Sequence, residues 1–365
     1  MIDFRYHLVS IVAVFLALAI GIVLGTTALN GPLTSRLRSL EGTLRAESDA
    51  LRAQKNQLQL QIGGDEAFAQ AAAPLLLPRL LEGQSVALVT APGASPAVIS
   101  GVTAAVKQAD GTVTGQVSLQ PQFFDTSATT EHSLTALAQL APPGTLVTGP
   151  GSQQLADPQI SGQIAAAGAL AAAIVTKDGP TLSSAQTHAI LAGFAQGGFL
   201  QASPPVLAPA TLAVVIIPAT PPTTNDAAPA NLALISMTQK LGAASDGAVM
   251  AGSIAGSGPG SAIDELASGN TGIEVSSVDN ADSETGQIMV VQALNKLLTG
   301  HKPANYGAGP GTAPSPAPTP SPSLTPVPST TGRASKHGVS GPHHPSATPG
   351  PSVTPSPSVS LAALR

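Results

Sequence analysis

The seven histidines are the side chains best suited to metal or acid-base chemistry, and their placement argues against both. His7 flanks an apolar run, His301 closes a helical stretch, and His337, His343 and His344 fall in a proline-rich segment. Only His132 and His188 lie in the body of the chain, in no metal-ligand spacing. The His343-His344 pair would hold a divalent ion only weakly from a flexible chain. The four methionines (Met1, Met237, Met250, Met289) never cluster as soft Cu(I) prefers. Cysteine is absent, which removes disulfides, thiolate zinc sites, iron-sulfur clusters and thiol nucleophiles together. No nucleophile stands in a pattern with a base. We therefore expect no enzyme, assign no catalytic or cofactor-binding residue, and leave any metal ligands unknown.

Two further segments invite chemistry and are explained more simply by backbone needs. Residues 252–260, GSIAGSGPG, follow an expected strand, but neither the Lys-Ser/Thr of a phosphate loop nor the glycine offsets of a dinucleotide loop is present. A flexible loop is expected there. Asp279, Asp282 and Glu284 form the one acidic cluster. Cation binding competes there with N-capping by Asp282 or Ser283 of a helix whose first turn holds Glu284, and capping is the expectation.

The 365 residues are 43% hydrophobic and 10% charged, with a formal net charge of -5. That suffices for a real core and offers no basic surface for phosphates, so no nucleic-acid partner is expected.

Residues 8–24 carry no charge, and the uncharged stretch continues to Ser35, long enough for a helix to cross a bilayer. A cleaved signal peptide is the alternative, with Thr26-Thr27-Ala28 as a weak cleavage site; an uncleaved anchor is expected. Arg5 precedes the run while Arg36, Arg38 and Arg45 follow it, a count that favours a cytoplasmic bulk; a long domain, however, translocates largely regardless of charge. Leu37, Leu40, Leu44, Leu51 and Leu58 then mark a heptad seam whose alternate positions turn polar at Glu47, Gln54 and Gln61. This predicts a short self-associating coiled coil, with a helix lying on its own domain as the alternative, and Gly63-Gly64 as its end.

From residue 84 to 306, apolar β-prone runs alternate with helical stretches. Strands are expected at 85–90, 112–119, 212–217, 248–251 and 273–278, and helices at 95–109, 230–241 and 283–298. Such alternation implies an α/β domain on a parallel sheet. Between 128 and 203 the richness in Ala and Gly hides the boundaries. From 307 to 365 the Pro/Ser/Thr repeats cannot bury enough apolar surface to fold, so a disordered tail is expected; such stalks are often glycosylated outside the cell. The expected organisation is an N-terminal transmembrane anchor (1–32), a coiled coil (33–62), a parallel-sheet α/β domain (84–306) and the tail (307–365). Aromatic girdles and long alternating strands, the marks of a membrane barrel, are missing: the chain has no Trp and two Tyr.

The opening IDFRYHLVSIVAVFLALAIGIVLGTT, the leucine-seamed helix with Lys55 to Leu58 (KNQL), DGTVTGQVSL with Phe124-Asp125 after it, and VSSVDNADSETGQIMVVQAL leading to Asn305-Tyr306-Gly307 occur in order. Together they resemble the mycobacterial copper-transport channel B family of actinobacteria over most of residues 1–307. The resemblance implies a membrane-associated envelope protein in copper efflux or homeostasis, with copper as a transported ion and no resident cofactor; in mycobacteria the family is described as an outer-membrane channel. A non-catalytic envelope scaffold is the rival reading, and the bulk of the chain is expected outside the cytoplasm.

Overall fold

The computed structural model describes residues 4–142, 158–177, 179, 182–204, 207–223, 227–269 and 273–313. The segment expected as a tail beyond 313, with His337, His343 and His344, lies outside the described residues. In chain order the elements are α1 (Phe4–Leu76), β1 (Ser85–Thr90), α2 (Pro96–Gln108), β2 (Thr112–Leu119), α3 (Ala128–Ala138), α4 (Ser161–Ile174), α5 (Ser184–Gln196) and β3 (Leu200–Ser203). They continue through β4 (Leu212–Ile216), α6 (Ala227–Ala244), β5 (Gly247–Ala251), α7 (Ala262–Ala267), β6 (Ser276–Val278), α8 (Glu284–Leu298) and β7 (Asn305–Tyr306).

One seven-stranded sheet runs in the order β3-β2-β1-β4-β5-β6-β7. Every neighbouring pair is parallel except β2 with β3, which is antiparallel. The central strands β4 and β5 are apolar throughout, and β1 nearly so, because both faces are covered. Ala87 and Val89 face a core with Ala213, Val215 and Met250, built against α3 to α7, whereas Val86 and Leu88 face a second core with Val214, Val249 and residues of α1, α2 and α8. Withdrawing each such Val or Leu from water contributes about 1.5–3 kcal/mol.

The Ala-rich middle resolves into helices that need no amphipathic stripe. In α4 Ala166, Ala167, Ala169, Leu170, Ala171 and Ala173 are all fully buried, so every face is apolar and no period shows. A methyl at Gly162 would collide with the Glu131 backbone, which is how closely α3 and α4 cross.

Three features differ from the sequence expectation. Helix α1 does not stop at Gly63-Gly64 but continues to Leu76, because tertiary docking outweighs the glycines. Glu66 Oε2 accepts from the Glu284 amide at 2.8 Å, Ala69 and Ala73 are buried in the second core, and Asn295 Nδ2 donates to the Leu80 carbonyl at 2.8 Å. Only Ser276–Val278 of 273–278 is strand, although Ile273 and Val275 are buried. Residues 307–313 belong to the domain: Gly307 N donates to Ala313 O at 2.9 Å, and Ala313 N returns to Asn305 O at 2.8 Å.

The docking contacts also orient the long helix. Glu66 meets the start of α8 and Leu80 meets its later turns, so the end of α1 runs beside α8 in the same direction. Because α8 begins where β6 ends, the undocked length of α1 leaves the domain at the rim formed by the carboxyl ends of the parallel strands.

Candidate functional site

In an open sheet of this kind a ligand crevice is expected where the strand order reverses, between the carboxyl ends of β1 and β4. Here the two following loops are joined instead. Ala219 N donates to Gly93 O at 2.9 Å, and Ala94 and Pro218 form an antiparallel bridge. The polar side chains nearby bind one another: Thr90 Oγ1 donates to Ser118 Oγ at 3.1 Å, and Gln116 Nε2 donates to the same oxygen at 2.9 Å. Among the described residues, the polar groups at this reversal are engaged with one another.

The acidic cluster is divided among separate backbone partners. The buried Asp279 carboxylate accepts from Ala308 N at 2.9 Å and Gly309 N at 2.6 Å, so it clamps the segment after β7. Gly307, at φ 137, lies so close to that carboxylate that any side chain would collide with it. Asp282 Oδ1 accepts from Ile254 N at 3.1 Å. Ser283 Oγ accepts from Gly286 N at 2.9 Å and caps α8, so the capping role falls to Ser283. The glycine-rich 252–260 segment is a hydrogen-bonded turn: Ser253 Oγ accepts from Gly256 N at 3.0 Å, and Asp264 Oδ2 accepts from Gly260 N at 2.9 Å.

His132 on α3 and His188 on α5 are exposed, and among the described residues no three His, Asp or Glu side chains converge in a metal-ligand arrangement. Met237 and Met250 are fully buried in the first core and Met289 is buried in the second, where thioethers fill space between helices and sheet. A pocket the sequence did not announce opens at the opposite rim, by the amino ends of β5 and β6. It encloses about 460 Å³ and is lined by Lys177, Gln239, Asp246, Glu274, Ser276 and Leu297 among others. Its charged groups come from distant segments, and none stands in a recognisable motif.

Local electrostatics follow burial and capping. A hydrogen bond from the Ser127 amide, with the Ser127 and Thr130 hydroxyls, holds the Asp125 carboxyl below its ordinary 3.8 at the start of α3. Burial lowers the Lys240 ammonium and raises the Tyr306 hydroxyl. Burial also raises Glu265, opposed by the Asn231 amide, which donates to it at 2.9 Å, and reinforced by neighbouring Asp264.

One stretch of α1 is long and apolar enough to cross a membrane. Tyr6–Gly25 is a 20-residue apolar stretch with no buried residue, about 30 Å long at the helical rise, which matches the bilayer core. Beyond it Leu40, Leu44, Leu51 and Leu58 are exposed along one side of the helix.

The protein-family model for "Copper transport outer membrane protein, MctB" matches residues 1–317. A copper transporter MctB of Mycobacterium tuberculosis is 29% identical over 316 residues, covering 85% of this chain and 98% of that protein. The copper transporter MctB of Mycobacterium leprae is 30% identical over 321 residues, with the same coverage of both chains. The match spans the apolar helix and the sheet domain together, and on that extent the chain belongs to the MctB family of copper transport outer membrane proteins.

Proposed function

We propose that the protein serves copper export and copper homeostasis as a single-pass membrane protein whose α/β domain stands outside the cytoplasm. The observation that carries this reading is the extent of the family match, residues 1–317, which takes in anchor, long helix and domain together. Among the described residues the seven strands form an open sheet, and one helical stretch is long and apolar enough to span a membrane. In this reading copper passes through an assembly in which the chain is one component, and copies associate through the leucine seam as a parallel coiled coil. In this reading the protein does not hold copper tightly itself: Met237, Met250 and Met289 are spent on core packing and the Asp279 and Asp282 carboxylates on backbone amides.

A non-catalytic scaffold is the second reading, favoured by the loops joined at the β1/β4 reversal. Deleting the protein separates the two. Copper transport predicts more cell-associated copper and lower copper tolerance in the deletion strain, whereas unchanged copper content and tolerance leave the scaffold. The purified full chain is expected to bind copper weakly and equally well after His132→Ala and His188→Ala. A tight stoichiometric site in calorimetry would instead show that the fold assembles ligands from distant segments.

A further inference from the structure

We infer that the helix-helix interface does not end with the leucine seam but runs through Gly63-Gly64 to Leu75, so that a second copy of this chain lies against Phe68 and Leu75 beside the α/β domain. This rests on the self-association reading above and extends it to where the domain begins.

Register defines the seam. With Leu44, Leu51 and Leu58 in one core position of the heptad, the other core position holds Leu40, Glu47, Gln54, Gln61, Phe68 and Leu75. The seam therefore turns polar and then returns to apolar in unbroken phase, which the sequence conceals because Gly63-Gly64 looks like a stop. The helix is continuous across that pair, and neither glycine occupies a core position, so their missing side chains leave the seam intact. Gln61 and Asp65 form a polar layer between the upper leucines and the lower Phe68 and Leu75.

Phe68 is 75% exposed and Leu75 84% exposed, and the protein's own domain does not cover them. That domain takes Glu66, Ala69 and Ala73, which share a different face. At about 100° per residue, Phe68 and Leu75 lie more than a quarter turn away from Ala69 and Ala73. Between Leu58 and Leu76 the exposed large apolar side chains on the core positions are Leu58, Phe68 and Leu75, whereas Leu60, Ile62 and Leu76 fall outside them, the last two on the heptad position of the docked Ala69. The bilayer does not reach this stripe, since Glu66 stands about 60 Å along the helix from the end of the apolar span.

The occupant that fits is a second helix running in the same direction and in the same register. A second copy anchored in the same membrane supplies both conditions by construction. Its domain presents no obstacle: each domain sits to the side of its own helix, so a two-fold axis along the pair puts the two domains on opposite sides.

Because the chain has no cysteine, single substitutions report the interface in the full-length protein in its membrane. Leu44→Cys, Phe68→Cys and Leu75→Cys are treated with diamide and compared with Gln70→Cys, an exposed outward position of the same helix. The expected result is disulfide-linked dimer from all three core variants, several-fold more than from Gln70→Cys. Cross-linking at Leu44→Cys without Phe68→Cys or Leu75→Cys would overturn the extended interface and leave the upper seam standing. Absence of cross-linking at all positions would remove the self-association itself, and equal cross-linking at Gln70→Cys would show random collision and overturn the inference too.

Discussion

Glu265 is a carboxylate the fold disfavours in its charged form. Burial raises its pKa above the ordinary 4.5, the hydrogen bond from Asn231 recovers part of that cost, and Asp264 adds repulsion. Because the folded-state value is the higher one, the penalty is absent below the ordinary pKa, grows as pH rises through it and is complete above the raised value. Glu265→Gln keeps an acceptor for Asn231 and removes the charge. Thermal unfolding of this variant should show a higher midpoint than the parent at pH 7, with the difference closing below about pH 4.5. At this scale the sequence singled out Asp279, Asp282 and Glu284 and offered Asp282 or Ser283 as the cap of α8, of which Ser283 takes the role. It did not show that the Asp279 and Asp282 carboxylates accept from the Ala308 and Ile254 amides, or that the Glu284 amide donates to Glu66, because those partners lie in loops and a helix far along the chain. The pocket with Lys177, Asp246 and Glu274 was invisible for the same reason.

Among the elements, the docked end of α1 shows how tertiary contact overrides local propensity. Gly63 and Gly64 are helical with nothing within 4 Å of where a methyl would sit, so each costs backbone entropy without a packing return. Gly63→Ala and Gly64→Ala should each stabilise the helix by up to about 1 kcal/mol, measured by denaturant unfolding of the full chain in detergent. No gain, or a loss, would mean that the bend or close approach those glycines permit is used in the assembly. Strands 85–90 and 112–119 were legible to the residue because their composition and flanking turns agree. The four-residue β3 was not, since LQAS at an antiparallel sheet edge carries no periodic signal. Helix α4 was hidden by being buried on every side.

For the whole molecule, alternation of strand and helix announced a parallel sheet, but the strand order is a property of crossovers that no local pattern encodes. The anchor and the side on which the domain lies make the last prediction. Carbonate extraction should leave the chain with the membrane at its full, uncleaved mass, and protease added once the outer layers are opened should remove the domain. A chain released by carbonate would refute the anchor, and a protected domain would place the bulk in the cytoplasm. The continuity of α1 carries a further consequence, one of phase and distance. Between the apolar span and the docking point at Glu66 the helix acts as a ruler of about 60 Å that also fixes an angle. Removing a whole heptad lowers the domain by about 10 Å and turns it by only about 20°, whereas removing a single residue barely changes its height and turns it by about 100°. Anything able to meet the rim of the sheet at a fixed height above that span is thus selected by both altitude and bearing, so the number of helical residues beneath the domain is as much a specification as any side chain on its surface.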